Sequence, residues 1–457
     1  MSRLRHSPRR NLFKERCKMI QINMNYKGAL KIKEFSIVII LLIKYFILGT
    51  DLFAQDFSQA KRILENSIES GDLKMVTALV GNKDEEIFHA SFGTLDKDGE
   101  ANMTKDTITH IGSMTKLITT IAVLQLVEQG QIDLESEIHK YLPELGTLKI
   151  IESFDNKKPL FLTPNRKPTV KELLTHTSGY AYEFTNKKAA KVVESGLSPS
   201  IFENYIEALN APLMFEPGKD FQYGIGIDWA GILVERVTKK PLNEYFFDNI
   251  FKPLGMEDSF FEIPADKIDR TAKIWIRKET PLPSLFQRLM LRMVSFFTWS
   301  DFIYGPKEVQ PMARDFGSAD FYAGGGGLYS TTSDYAKILQ MLLNNGKLSG
   351  NQILTKETIE KMFQNQIGDL EVVIDGFPGF GDKPKWGYGF MLHPDGTSFG
   401  RNAGSASWFG IFDTHFWIDP VSDLFGIFSS QVISPFHEKT AKHFNSFETE
   451  IYESLKK

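Results

Sequence analysis

"THIGSMTKLITTIAVLQLVEQG", Thr109 to Gly130, decides the fold. A glycine-bearing turn enters a helix that is apolar on almost every side, and Ser113 and Lys116 stand three residues apart at the junction. A buried helix has no packing use for an ammonium group near its start. Positions i and i+3 share one helical face, with Cβ atoms about 5–6 Å apart, so the amine can reach the hydroxyl. A serine hydroxyl is a weak nucleophile until a neighbouring base takes its proton. A lysine can take it only if its pKa falls from about 10.4 toward neutrality, a differential solvation of roughly 4 kcal/mol. Burial beside Ile111, Met114 and Leu117 could supply that. The helix start adds free N–H groups and a positive dipole end where an acyl oxyanion would form. The plainer alternative is an N-cap serine followed by a snorkelling lysine.

Ser-x-x-Lys alone is a weak signal, because it also occurs at Ser58–Lys61 and Ser454–Lys457. Those two copies fall in polar terminal helices with no glycine turn before them. Outward from the central copy, "FSQAKRILENSIESGD" reads as an opening helix, and "KMVTALVGN" and "EEIFHASFGTL" as a hairpin. "DFQYGIGIDWAGILVERVTKK" holds a further helix. In "AGGGGLYSTTSDYAKILQMLLNNG" a glycine loop leads to a Thr331-x-x-Asp334 start signal, an amphipathic helix and a stop at Gly346. No Lys-Ser/Thr follows the glycines, so a phosphate-loop reading is rejected. "SWFGIFDTHFWIDP" and "LFGIFSSQV" read as two strands, and "HEKTAKHFNSFETEIYESLKK" as a C-terminal helix. Strands at both ends with helices between imply an α+β fold: one sheet built from both chain ends, with an inserted helical region. The expected division is 55–115 plus 320–457 for the sheet part and 116–319 for the mainly helical part. Within the latter, "PLPSLFQRLMLRMVSFFTWSDFIY", 281–304, is an apolar insertion. It reads as a packed helix, a lid, or a surface that touches lipid or an apolar substrate.

Residues 1–54 carry 11 Lys or Arg against 3 Asp or Glu, leaving 42 against 54 in the rest of the 457-residue chain. An acidic body argues against nucleic-acid partners. The basic head runs into "FSIVIILLIKYFILG", expected to be a signal peptide cleaved after Ala54 or a membrane anchor, and hence to direct the protein outside the cytoplasm, to the periplasm or beyond. The only cysteine, Cys17, precedes that run, so cysteine and thiolate-metal chemistry are excluded from the mature protein. The nine histidines show no paired ligand spacing. Neither a metal nor another cofactor is expected.

With its flanks, the Ser113 segment through "HKYLPE" resembles the β-lactamase-like serine hydrolases, a group of class C β-lactamases, D,D-peptidases, carboxylesterases and transesterases. "TVKELLTHTSGY", with His176 to Gly179, resembles the family's His-Thr-Ser-Gly segment. "FEPGKDFQYGIGIDWAGILVERVTKKPLNEYFFDNIFKPLGMEDSFF" resembles its tyrosine-bearing motif and the Pro-Leu-Gly-Met that follows. The likeness covers about 57–450 apart from the insertion. It implies the β-lactamase/transpeptidase-like fold, with Ser113 as acylated nucleophile, Lys116 as its activator and Tyr223 as the proton relay. His176 looks structural.

Two departures bear on substrate. The usual Tyr-x-Asn reads Tyr223-Gly224-Ile225, and the strand motif reads Trp408-Phe409-Gly410, similar to the Trp-x-Gly of the family's esterases. A second register would use Asn402-Ala403-Gly404. On the first, the oxyanion donors are the backbone N–H groups of Ser113 and Ile411, and Trp408, Gly410 and Ile225 line the substrate pocket. Apolar Ile225 and Trp408 would leave a penicillin carboxylate unpaired, at about 1–3 kcal/mol per unmatched group. The expectation is therefore a serine hydrolase that cleaves or transfers small ester or amide acyl groups through an acyl-enzyme. The alternatives are a penicillin-recognising D,D-peptidase or class C-like β-lactamase, and a non-catalytic binding protein on the same fold. Membrane contact is expected through the N-terminus or 281–304. The sequence does not fix the natural acyl group or the oligomeric state.

Overall fold

A seven-stranded sheet runs in the order Lys385–Trp386, Met391–His393, Ser405–Gly410, Thr414–Asp419, Leu424–Ser429, Met75–Gly81, Glu86–Gly93. Every neighbouring pair is antiparallel, and the strand from the chain start joins the strand from the chain end through Thr77↔Ser429 to Gly81↔Phe425. The computed structural model describes residues 55–95, 99, 101–155, 158–203, 206–277, 302–304, 321–374, 383–433 and 437–456. Phe57–Lys457 form one compact unit. The expected signal peptide or anchor at 1–54 lies outside the described residues, as does 281–301 of the apolar insertion. Phe302–Tyr304 are not helical. They form the edge strand of a three-stranded sheet, antiparallel to the central strand Trp275–Arg277, which pairs parallel with Val432–Ile433 on its other side. No helix among the described residues is long and apolar enough to cross a membrane.

Alternation along the central strands sends side chains to two cores. Val76, Ala78, Val80, Trp417 and Phe428 pack with the opening helix Ser58–Glu69 and the closing helix Glu438–Ser454, through Leu64, Phe447 and Ile451. Leu79, Phe416, Ile418 and Ile427 pack on the other face, against the helices Thr115–Glu128, Gly226–Thr238 and Thr332–Leu343. Thr331 caps the last of these by accepting the Asp334 N–H at 3.1 Å, as its start signal predicts.

One sequence expectation changes. "SWFGIFDTHFWIDP" is not one strand but two, broken at Ile411–Asp413. Asp413 takes φ 55° there, a left-handed turn that aspartate tolerates, and its buried carboxylate accepts from Ser430 Oγ and pairs with His415 Nε2 at 2.8 Å. The mainly helical part also contains a hairpin, Ile150–Asp155 with Lys158–Leu162.

Candidate active site

Ser113 lies in a 3-10 turn, Gly112–Met114, that leads directly into the helix Thr115–Glu128. Four contacts fix this turn. Thr115 Oγ1 donates to Gly112 O at 2.7 Å and accepts the Leu328 N–H at 3.1 Å. Tyr335 OH donates to Met114 O at 3.0 Å, and Thr414 Oγ1 to Ile111 O at 3.0 Å. Gly112 takes φ +52°, and a Cβ there would stand 3.2 Å from both Gly410 Cα and Ile411 N. Glycine therefore lets the nucleophile turn lie against the end of the strand Ser405–Gly410 and the Ile411 that follows it. This contact sets Ile411 N beside Gly112, the residue before the nucleophile, and Ser113 and Ile411 line the same cavity. It also selects the Trp408-Phe409-Gly410 register, because Asn402 lies away from the turn, with its N–H on Asp419 Oδ2 at 2.9 Å.

Lys116 is fully buried, 0 % exposed. Its amine does not lie among aliphatic side chains, as the sequence suggested. Nζ lies within hydrogen-bond distance of three oxygens: Ser113 Oγ at 3.3 Å, Tyr182 OH at 3.0 Å and Gly325 O at 2.6 Å. Tyr182 OH in turn donates to Asp228 Oδ2 at 2.8 Å, and the Gly325 N–H donates to Asp228 Oδ1 at 2.8 Å. Burial pushes the Asp228 carboxyl above its ordinary range, and nearby Lys116 opposes that push. Burial and then the Asp228 charge push the Tyr182 phenol well above 10. The glycine run rejected as a phosphate loop thus has a definite job. Gly325 presents one carbonyl to the lysine and one N–H to the aspartate, and a Cβ there would stand 2.3 Å from Asp228 Oδ2.

Tyr223 is also placed beside the amine, its ring centroid 4.7 Å from Lys116 Nζ. Its oxygen accepts from Trp408 Nε1 at 3.3 Å, and among the described residues its own proton has no acceptor. His176 backs it, with ring centroids 4.7 Å apart. His176 holds φ 59°, takes the Gly224 N–H on Nδ1 at 3.4 Å, and is kept neutral by burial first and Lys116 second.

These groups border a cavity of about 150 Å³ whose wall is largely aromatic, including Phe184, Phe261, Tyr322, Phe409 and Phe412. Ser113, Tyr182, Tyr223 and Ile411 reach it. Trp408, Gly410 and Ile225 do not, which corrects the expected pocket lining. Moving one position along the strand changes the face presented, so Phe409 and Ile411 meet the cavity while Trp408 packs between Trp386 and Tyr223. A Cβ on Gly410 would stand 2.3 Å from Ile111 O, so its role is to let the turn approach. Ile225 is the N-cap of Gly226–Thr238 and packs into the core. Sequence reasoning missed Tyr182 and Asp228. Among the described residues no group of three or more His, Cys, Asp or Glu is placed to hold a metal.

Comparison with known proteins agrees with this architecture. The Beta-lactamase family profile matches residues 60–444. A lovastatin esterase from Penicillium rubens is 31% identical over 346 residues, 72% of this chain and 81% of that protein. Monacolin J acid methylbutanoyltransferase from Aspergillus terreus is 34% identical over 263 residues, 57% of each chain. A solved simvastatin synthase mutant from Aspergillus terreus superposes with TM-score 0.74 at 25% identity, covering 89% of this chain and 99% of that one. A turn-borne Ser-x-x-Lys seated against an antiparallel sheet, over most of the length of these relatives, has one reading: the chain belongs to the Beta-lactamase family, on its esterase-like branch.

Proposed function

We propose that the protein is a serine hydrolase that forms an acyl-enzyme on Ser113 and passes the acyl group of an apolar ester to water or to another alcohol. The observation that carries the reading is the 3.3 Å contact between a fully buried Lys116 amine and Ser113 Oγ, at a turn pressed against Ile411 and open to an aromatic cavity. In the neutral form of Lys116, Nζ donates to Tyr182 OH and Gly325 O and turns its lone pair to Ser113, so Ser113 Oγ attacks the ester carbonyl as its proton passes to Nζ. The carbonyl oxygen becomes an oxyanion in reach of the Ser113 and Ile411 N–H groups. The C–O bond to the leaving alcohol then breaks, and that alcohol takes a proton from Tyr223. Water or a second alcohol reverses the sequence. Tyr223 suits the relay better than Tyr182, whose proton is committed to Asp228.

The relatives that act on esters or transfer acyl groups support the same reaction class here. The largely apolar wall, which carries no Lys or Arg among its described residues, speaks against penicillins as substrates. The test is to offer the purified protein p-nitrophenyl esters of increasing chain length and, separately, nitrocefin. Ester turnover that vanishes in Ser113→Ala is expected. Fast nitrocefin turnover with no ester cleavage would reverse the ranking, and no reaction of Ser113 with a fluorophosphonate probe would leave a binding protein. Export, directed by the apolar run before Ala54, belongs to the same proposal. It is checked by sequencing the N-terminus of the protein recovered outside the cytoplasm.

A further inference from the structure

His110, three residues before the nucleophile, has no part in the scheme above, yet its ring forms part of the cavity wall beside Ser113. The residue is clamped. Its backbone N–H donates to Gln431 Oε1 at 3.0 Å, and its carbonyl accepts from Gln431 Nε2 at 3.0 Å. The ring lies against Tyr329 and Phe412, with centroids 4.4 and 4.6 Å away. The Gly112 N–H donates to Nδ1 at 3.0 Å. A ring nitrogen that accepts carries no proton, so the proton of the neutral imidazole sits on Nε2. Nε2 makes no hydrogen bond among the described residues, although the residue is 5 % exposed and held through its backbone, Nδ1 and ring faces. Beside the hydroxyls of Ser113 and the lining tyrosines, the site therefore holds a preorganised neutral N–H donor in a wall that is otherwise mostly aromatic.

We propose that His110 Nε2–H is a substrate-binding donor for a second, neutral oxygen on the ester, such as an ether or ketone oxygen in the acyl or alcohol part, and so makes the enzyme selective for oxygenated over plain alkyl esters. The inference rests on the acyl-transfer reading above. Burial holds the imidazole pKa down to about 3, so it meets substrate as a dipole and not as a cation. The charged groups among the described lining residues are Asp228 and Glu262, both acidic. A carboxylate or phosphate would find no countercharge on that wall, whereas an uncharged acceptor loses nothing. A donor left unpaired against an all-carbon chain costs binding, and this asymmetry discriminates between chains of equal size.

The experiment compares p-nitrophenyl pentanoate with its two ether isosteres, ethoxyacetate and 3-methoxypropanoate, each kcat/KM divided by the ester's rate with hydroxide. Wild type is expected to favour at least one isostere by about fivefold, the worth of one neutral hydrogen bond. His110→Asn keeps an acceptor for the Gly112 N–H and loses the distal donor. His110→Gln keeps a donor at the distal position. The ratio should fall to about one in His110→Asn and stay above about threefold in His110→Gln. It is read within each variant, so a general loss of rate from a disturbed nucleophile turn cancels. A wild-type ratio near one for both isosteres, or the same ratio in wild type and His110→Asn, overturns the proposal while ester turnover leaves the acyl-transfer reading standing. No turnover of any ester together with no fluorophosphonate labelling of Ser113 overturns both.

Discussion

Replacing Lys116 by methionine tests the polar network more sharply than it tests catalysis. The side chain is wholly buried, and methionine of similar length fills its space. What is lost is the partner of the Asp228 carboxylate. The two hydrogen bonds through Tyr182, 3.0 and 2.8 Å, place Nζ and Oδ2 at most 5.8 Å apart. At that separation two unit charges interact by about 3 kcal/mol in an effective dielectric of about 20. Removing one partner of a buried pair typically costs about 3–5 kcal/mol, because the other charge stays buried alone. Lys116→Met should therefore lose about 3 kcal/mol of stability at pH 8. Burial already raises the Asp228 pKa, and without Lys116 it rises further. A folded-state pKa above the unfolded one makes stability fall as pH climbs from the unfolded toward the folded value, so the loss should shrink at pH 5. In Lys116→Met/Asp228→Asn the orphaned charge is gone, and stability should return to within about 1 kcal/mol of Asp228→Asn. Urea unfolding of the four proteins at pH 5 and pH 8 gives the coupling energy. Ester turnover should be absent in every variant lacking the lysine. If the two single losses simply add at pH 8, the lysine and aspartate are not a pair and the network described here is wrong.

Tyr223→Phe should cut ester turnover by about 10²–10⁴ and let acylated Ser113 accumulate in the mass of its peptide, while Tyr182→Phe should mainly lower stability, by about 1–3 kcal/mol; the opposite pattern would exchange their roles. Gly325→Ala forces a methyl to within 2.3 Å of Asp228 Oδ2, and a loss of about 1–3 kcal/mol in thermal unfolding is expected, with an unchanged Tm speaking against the close approach. His110 and His393 are held by burial at about 3, below the 6.5 of an exposed imidazole. Between these values the unfolded chain binds more protons than the folded one, so each histidine's contribution is complete above about pH 6.5 and is lost as pH falls. The Tm should drop between pH 6.5 and 4.5, and a flat profile over that range would show that these rings are not buried neutral.

The nucleophile turn was legible because its signal is a local contradiction, a charge at the head of an apolar helix. The shared sheet was legible because short, almost continuously apolar strands such as Met75–Gly81 and Leu424–Ser429 stand at both chain ends. The turn at Ile411–Asp413 was not, since it has no glycine or proline and rests on Asp413 taking φ 55° to reach His415 and Ser430. Trp408 was assigned to the pocket for a related reason: a motif fixes the strand but not which neighbouring position faces the cavity.

Asp228 could have been found by the logic that found Lys116. "GIGIDWAGILV" carries one carboxylate in the first turn of a helix whose residues Gly226–Val234 are all buried. Two opposite charges, each buried in the first turn of its helix within one compact unit, cost several kcal/mol apiece unless they meet. The packing of Thr115–Glu128 against Gly226–Thr238 brings them within reach, and Tyr182 fills the space between as donor to one and acceptor from the other. The amine next to Ser113 is thus not merely tolerated in the interior. A carboxylate contributed by a different helix, and joined to it through a phenol, holds the lysine at the height where the serine oxygen lies, so the catalytic geometry and the stability of the helix pair depend on the same three side chains.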